Sequence, residues 1–145
     1  MKSIIKTLEQ LRQMRARGVS ELTGKLAQQK QLCQRYERNI ETLTTLSEGG
    51  LEQNIPSAIQ MSNHSSYKRS IQKVIDWQKQ EHALANKTAE SLQQNLVKEA
   101  CREKTVDLVL SERKNKMQLE ESRKDQRTTD SMSLQSWMRQ RKSYT

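Results

Sequence analysis

Helix-breaking residues in this chain gather at one place. Two of its four glycines and its only proline (Gly49, Gly50 and Pro56) lie within residues 47–66, SEGGLEQNIPSAIQMSNHSS. Proline removes a backbone donor and glycine adds chain entropy, so both interrupt helices. The long flanking runs carry almost none of this punctuation and read as helices, with the stretch between them as a joint. The expected architecture is all-α: two long helices forming an antiparallel coiled-coil hairpin with a C-terminal helical overhang. It occupies 1–145 as one domain, with arm one at 3–47, the joint at 48–64 and arm two at 65–141.

Arm one opens at Ser3, a candidate N-cap, followed by Ile4, Ile5, Leu8 and Leu11. Gly18 marks a phase change. Beyond it Val19, Leu22, Leu26, Gln29, Cys33, Tyr36, Ile40 and Leu43 alternate by three and four residues, with Gln29 alone departing from apolar character. An alternation held over that length indicates a coiled coil. Arm two, with Asn63, Ser65 or Ser66 as candidate caps, shows a thinner stripe: Tyr67, Ile71, Val74, Gln78, His82, Ala85, Ala89, Leu92, Leu96, Ala100, Val106 and Leu110. Its spacing drifts from seven toward eleven residues, which locally unwinds a supercoil. Trp77 is expected to cover one side of the seam.

Folding the arms antiparallel with Leu43 against Ile71 fixes an index sum of 114. Ile40 then meets Val74, Tyr36 meets Gln78, Leu22 meets Leu92 and Ile4 meets Leu110. Met1 falls opposite about Arg113. Residues 114–145 are left as an overhang of roughly 45 Å at about 1.5 Å per residue. The overhang is polar over KNKMQLEESRKDQRTTD, and Met132, Leu134, Trp137 and Met138 then return without a partner in the chain. An isolated helix is marginal in water, so this segment is expected to fray unless a partner orders it.

Composition narrows the function classes. The chain is 32% hydrophobic, 3% aromatic and 30% charged, too lean for a globular core with a concave active site. Net charge is +9. It divides as +5 over residues 1–46, zero over 47–97 and +4 over 98–145, so the joint is neutral and the terminal segments are basic. Cys33 and Cys101 fall on apolar positions and read as small core residues, with no disulfide or metal spacing. His64 and His82 are isolated, Glu120 and Glu121 sit in a charged helix, and no phosphate loop or nucleophile–base pattern occurs. No catalytic residue, cofactor or metal ligand is expected. Basic and acidic residues interleave without a clean stripe, which argues against dedicated nucleic-acid binding. A basic coiled coil that binds nucleic acid or a membrane surface stays as the alternative. No signal peptide or membrane span is legible, and a cytoplasmic location is expected.

Near the C terminus, Glu121-Ser122-Arg123-Lys124-Asp125-Gln126 followed by Asp130 resembles the E-x-R-x-D-Q-x-x-x-D pattern of the flagellar FliJ family, which also contains the injectisome stalk proteins. Ser131 stands where the family usually has an acid. Arg102-Glu103-Lys104 and Cys33-Gln34 match more weakly, and the similarity covers essentially the whole chain. The resemblance implies a non-enzymatic stalk, similar to the central stalk of rotary ATPases, that couples a hexameric export ATPase (FliI-like) to a proton-driven export gate. It implies insertion of the terminal end into the ATPase ring, carried here by Arg123, Asp125, Gln126, Asp130, Trp137 and Met138. It also implies contact between the joint end and the cytoplasmic domain of the gate protein FlhA. Carried across, the gate residues are Asn39, Leu43, Leu46, Tyr67, Ile71, Val74 and Gln78, while a further family aromatic lands on Gly50 and is lost. The implied partners extend to the ATPase regulator (FliH-like) and export chaperones for late substrates, with the chain peripheral to the inner membrane through them. Family members are monomeric, yet the thin seam of arm two leaves room for another chain. Main flagellum, lateral flagellum and injectisome are not distinguished.

Overall fold

The computed structural model describes residues 2–49 and 58–143. They form two α-helices, α1 (Lys2–Gly49) and α2 (Ala58–Ser143), packed against each other as a helical hairpin. Gly50 and Pro56 of the joint lie outside the described residues. Both helices start earlier than expected. Ser3 is inside α1, where its carbonyl accepts from Thr7 Oγ1 at 2.9 Å. Asn63, Ser65 and Ser66 are likewise within α2 rather than at its cap. At the other end α2 is helical through Ser143, across the whole segment expected to fray.

The chain divides into two compact units, a central one (Gly18–Glu99) and a terminal one (Met1–Arg17 with Ala100–Thr145). In the central unit the pairing is antiparallel. Gln29 Nε2 donates to the Ala85 carbonyl at 3.0 Å, the index sum expected from the sequence. Glu37 meets His82 at 3.2 Å, so increasing number on α1 runs with decreasing number on α2. Every expected α1 seam position from Val19 to Leu43 is at least half-buried, and Leu26 and Cys33 are buried.

The α2 seam differs from the expected stripe. Its seam positions are His64, Lys68, Ile71, Ile75, Gln78, His82, Ala85, Ala89, Leu92, Leu96 and Glu99, an unbroken four-three alternation of buried or half-buried residues, with Glu81 half-buried beside His82. Ile75 is the deepest residue of the central unit at 3% exposure, while its neighbour Val74 is 43% exposed. Tyr67 and Val74 therefore flank the seam, and Lys68 and Ile75 occupy it. The cause is arithmetic. Both Ile71–Val74–Gln78 and Ile71–Ile75–Gln78 span seven residues, but only the second keeps the phase set by His82, Ala85 and Ala89. Burying a side chain as large as Ile75 is worth about 1.5–3 kcal/mol, against far less for half-open Val74. Trp77, expected to shield the seam, is 55% exposed.

In the terminal unit, Glu103, Val106, Leu110, Arg113 and Met117 continue four-three spacing on α2, so the expected drift to eleven-residue spacing does not occur in the seam. Ala100 is exposed and the acidic Glu103 is half-buried. A long acid buries its stem while its carboxylate reaches water, which is how a seam position can carry charge. Leu110 is the most buried side chain at 2%. Arg12 Nε lies 3.2 Å from Asp107 and Lys114 Nζ lies 3.0 Å from Glu9. These pairs place Leu110 level with Leu8 and Leu11 rather than with Ile4, which is 45% exposed. Their index sums, 119 and 123, lie five and nine above the expected 114, while the central unit has 114 at Gln29–Ala85 and 119 at Glu37–His82. On α1 the seam steps by four twice, from Gly18 to Leu22 to Leu26, and consecutive steps of this kind shift the phase of a coiled coil. The overhang accordingly begins after Met117 rather than after Arg113.

Candidate functional site

Two surfaces stand out, one in each unit, and neither is a pocket suited to chemistry. The shallow apolar depression beside Gln80, Ala83, Leu84 and Lys87 has a volume of about 340 Å³, and none of its lining residues forms a nucleophile–base pair. Among the described residues no group of three or more His, Cys, Asp or Glu is placed to hold a metal ion. Among them, too, no helix is long and apolar enough to cross a membrane.

The first surface flanks the joint. Antiparallel pairing brings α1 residues 39–46 beside α2 residues 67–78. Of the seven expected gate residues, Asn39, Leu46, Tyr67 and Val74 are exposed, with Leu46 at 52% and Tyr67 at 54%. Leu43 is half-buried, while Ile71 and Gln78 are buried at 7% and 9%. Ile71 and Gln78 hold the helices together and present little surface to a partner. Among the described residues Gln78 Oε1 finds no hydrogen-bond partner, an arrangement that costs stability in the seam. Exposed Ile59, Met61 and Trp77 extend the apolar surface on α2. Sequence reading set Trp77 over one side of the seam. At 55% exposure it lies outside the seam instead.

His82 is half-buried, with its Nε2 3.2 Å from Glu37 Oε1. It bridges the helices from a seam position. Together with the Gln29–Ala85 bond, this contact gives the central unit two polar cross-ties among its apolar layers. Polar seam groups with a defined partner specify register more than they add stability.

The second surface is the overhang. From Gln118 to Ser143 every described residue is exposed. Arg123, Asp125, Gln126 and Asp130 project from this bare helix, and Thr128 and Thr129 hydroxyls donate to the carbonyls one turn back, both at 2.9 Å. Met132, Leu134, Trp137 and Met138 are each more than half exposed. The Arg141 guanidinium lies 5.1 Å from the centre of the Trp137 ring, within cation–π range. Leu134, Trp137 and Met138 share one face at spacings of three and four, so the helix offers an apolar edge beside basic Arg139, Arg141 and Lys142.

A family model described as "Flagellar FliJ protein" matches residues 5–142, nearly the whole chain including both surfaces. No curated protein matches the chain, and no solved structure does.

Proposed function

The chain belongs to the flagellar FliJ family and so is a component of the flagellar export apparatus; from that premise we propose that it is the stalk linking the export ATPase to the export gate. In this reading the overhang enters the hexameric ATPase ring, and the exposed joint flanks of the central unit meet the cytoplasmic domain of FlhA. The ATPase regulator and the export chaperones dock on the same protein, which works at the cytoplasmic face of the inner membrane without spanning it. The stalk carries force and position between partners and performs no chemistry.

One observation carries the reading. The α2 segment 118–143 is helical, wholly exposed and supplied with Leu134, Trp137 and Met138 along one edge. A single helix of this kind buries nothing unless a partner surrounds it, and the interior of a ring is such a partner. Its basic end suits an acidic lining. The joint flanks differ in kind: Leu46, Tyr67, Val74 and Trp77 offer apolar and aromatic contact within a segment of zero net charge, as a protein–protein anchor does.

Truncation after Met117 separates the two ends. Stimulation of the ATPase is expected to fall sharply while gate binding persists; equal loss of both would overturn the assignment. At the other end, replacing Leu46 and Tyr67 together with Ala is expected to leave helicity unchanged. It should weaken gate binding by about tenfold or more, since exposed aromatic anchors contribute roughly 1–2 kcal/mol each. Unaltered affinity would remove the joint flanks from the interface. Both measurements belong at physiological salt, where binding driven by charge alone fades.

A further inference from the structure

The central unit has an apolar side and a polar side. Each four-residue step of a seam encloses three residues, the first on one side of the helix pair and the last on the other. Antiparallel pairing puts the first residues of both helices on the same side, as Arg12 and Asp107 show in the terminal unit by meeting at 3.2 Å. In the central unit the first residues are Lys30, Glu37 and Thr44 on α1 and Gln72, Lys79 and Asn86 on α2, all polar and exposed. The last residues are Leu32, Asn39 and Leu46 on α1 and Tyr67, Val74 and Glu81 on α2. Four of these six are apolar.

Trp77 and Leu84 widen that second side, because Val74, Trp77, Glu81 and Leu84 follow one another by three, four and three residues. Leu84 is 59% exposed. The Gln29–Ala85 and Glu37–His82 contacts bracket Leu32 level with Leu84. Lys25 and Thr88, next in order, are polar and close the strip. From Tyr67 to Leu84 it runs about 25 Å at about 1.5 Å per residue. Beside Leu84 the small Ala83 leaves the depression already described, which has room for a partner side chain. Glu81 carries the only formal charge of the strip; it is half-buried and has no ion pair among the described residues.

We propose that the cytoplasmic domain of FlhA grips the central unit by this side alone, from Leu46 and Tyr67 as far as Leu32 and Leu84, and sets a basic side chain against Glu81. This rests on the gate-docking reading above, and Leu32, Glu81 and Leu84 lie beyond the residues named there. Tyr67 and Val74 belong both to the joint flanks and to the strip, so the two form one continuous surface. Leu46 and Tyr67 alone cover far less than the about 800 Å² that each partner gives to a standard interface, and extension to Leu84 brings the surface toward that size. A half-buried acid left unpaired in an apolar surface is matched best by a partner's cation.

Titration of the full chain with the gate's cytoplasmic domain tests this, with circular dichroism confirming that each variant stays helical. Leu84→Glu should weaken binding by about tenfold or more, because it sets a carboxylate within apolar contact. Asn86→Glu, which adds the same group on the polar side, should leave affinity unchanged. Trp77→Ala should cost about tenfold, as loss of an aromatic anchor does. Glu81→Gln should weaken binding less and flatten its dependence on salt. The Leu46 and Tyr67 double replacement reports on the parent reading. If that variant loses affinity while Leu84→Glu and Trp77→Ala bind as wild type, the extended strip is overturned and joint-flank docking stands. If wild type does not bind, or no variant including the double one alters affinity, the parent reading fails and the strip with it. Equal weakening by Asn86→Glu and Leu84→Glu overturns the one-sided grip. An unchanged salt dependence in Glu81→Gln overturns the basic contact.

Discussion

The two units use one heptad spacing and fill it differently. The central unit buries Leu26, Cys33, Ile71, Ile75, Gln78 and Ala85, whereas among the described residues of the terminal unit only Leu110 reaches that depth. The terminal seam instead gives half-buried places to Arg15, Glu103 and Arg113. Its cross-helix ion pairs, Arg12–Asp107 and Glu9–Lys114, are between partners roughly a third to a half exposed. Exposed pairs of this sort contribute about 0–1 kcal/mol. The spacing therefore decides that two helices lie together, and the residues filling it decide how firmly. A central unit held by apolar layers is the rigid part. A terminal unit held by one deep leucine and by screened charges is the part that opens at low cost.

The largest test of this contrast is a pair of truncations. Ile75→Ala should cost about 3–5 kcal/mol and lower the main thermal transition. Leu110→Ala should cost less, about 2–3 kcal/mol, because the loss cannot exceed the stability of the terminal unit itself. Hydrogen exchange after Leu110→Ala should show faster exchange over residues 2–17 and 100–117 with residues 26–85 unchanged. Uniform acceleration would erase the distinction between the units. A smaller effect of opposite sign is expected at Gln78→Leu. Removing a buried amide whose oxygen lacks a partner should stabilise the central unit by about 1–2 kcal/mol in denaturant unfolding. A destabilised variant would show that the amide has a structural role. Smallest of all, Asp107→Asn should change stability by less than about 0.5 kcal/mol and make exchange in the terminal unit less sensitive to salt. A loss above about 2 kcal/mol would mean that ionic contacts, rather than Leu110, hold that unit.

Much of this was legible in the residues. The α1 seam could be read position by position because Leu22, Leu26, Cys33, Ile40 and Leu43 are apolar and their neighbours are not. The α2 seam resisted because Lys68, Glu99, Glu103 and Arg113 stand at seam positions, where a search for apolar residues passes over them. It then settles on Tyr67 or Ala100 next door. Reading backward from Ala89, Ala85 and His82 in strict alternation would have recovered Ile75. Of the candidate gate residues, the stripe itself sets Leu46 and Tyr67, at the open end of the seam and exposed, apart from Ile71 and Gln78, which lie within it and are buried. All four sit within one residue of the seam, and exposure there turns on a rotation of less than half a turn.

By itself the sequence determined that the chain is two helices with one joint, that their pairing is antiparallel, and that apolar residues at the C terminus have no partner within it. These follow from periodicity, from helix breakers confined to one stretch and from arm lengths, all local or additive properties. Tertiary structure decided the phase of α2, the level at which Leu110 packs in the terminal unit, the start of the overhang at residue 118 and the outward placement of Cys101. Those depend on which of two equally spaced sets of side chains packs more volume against the opposite helix. That comparison exists only when both helices are present.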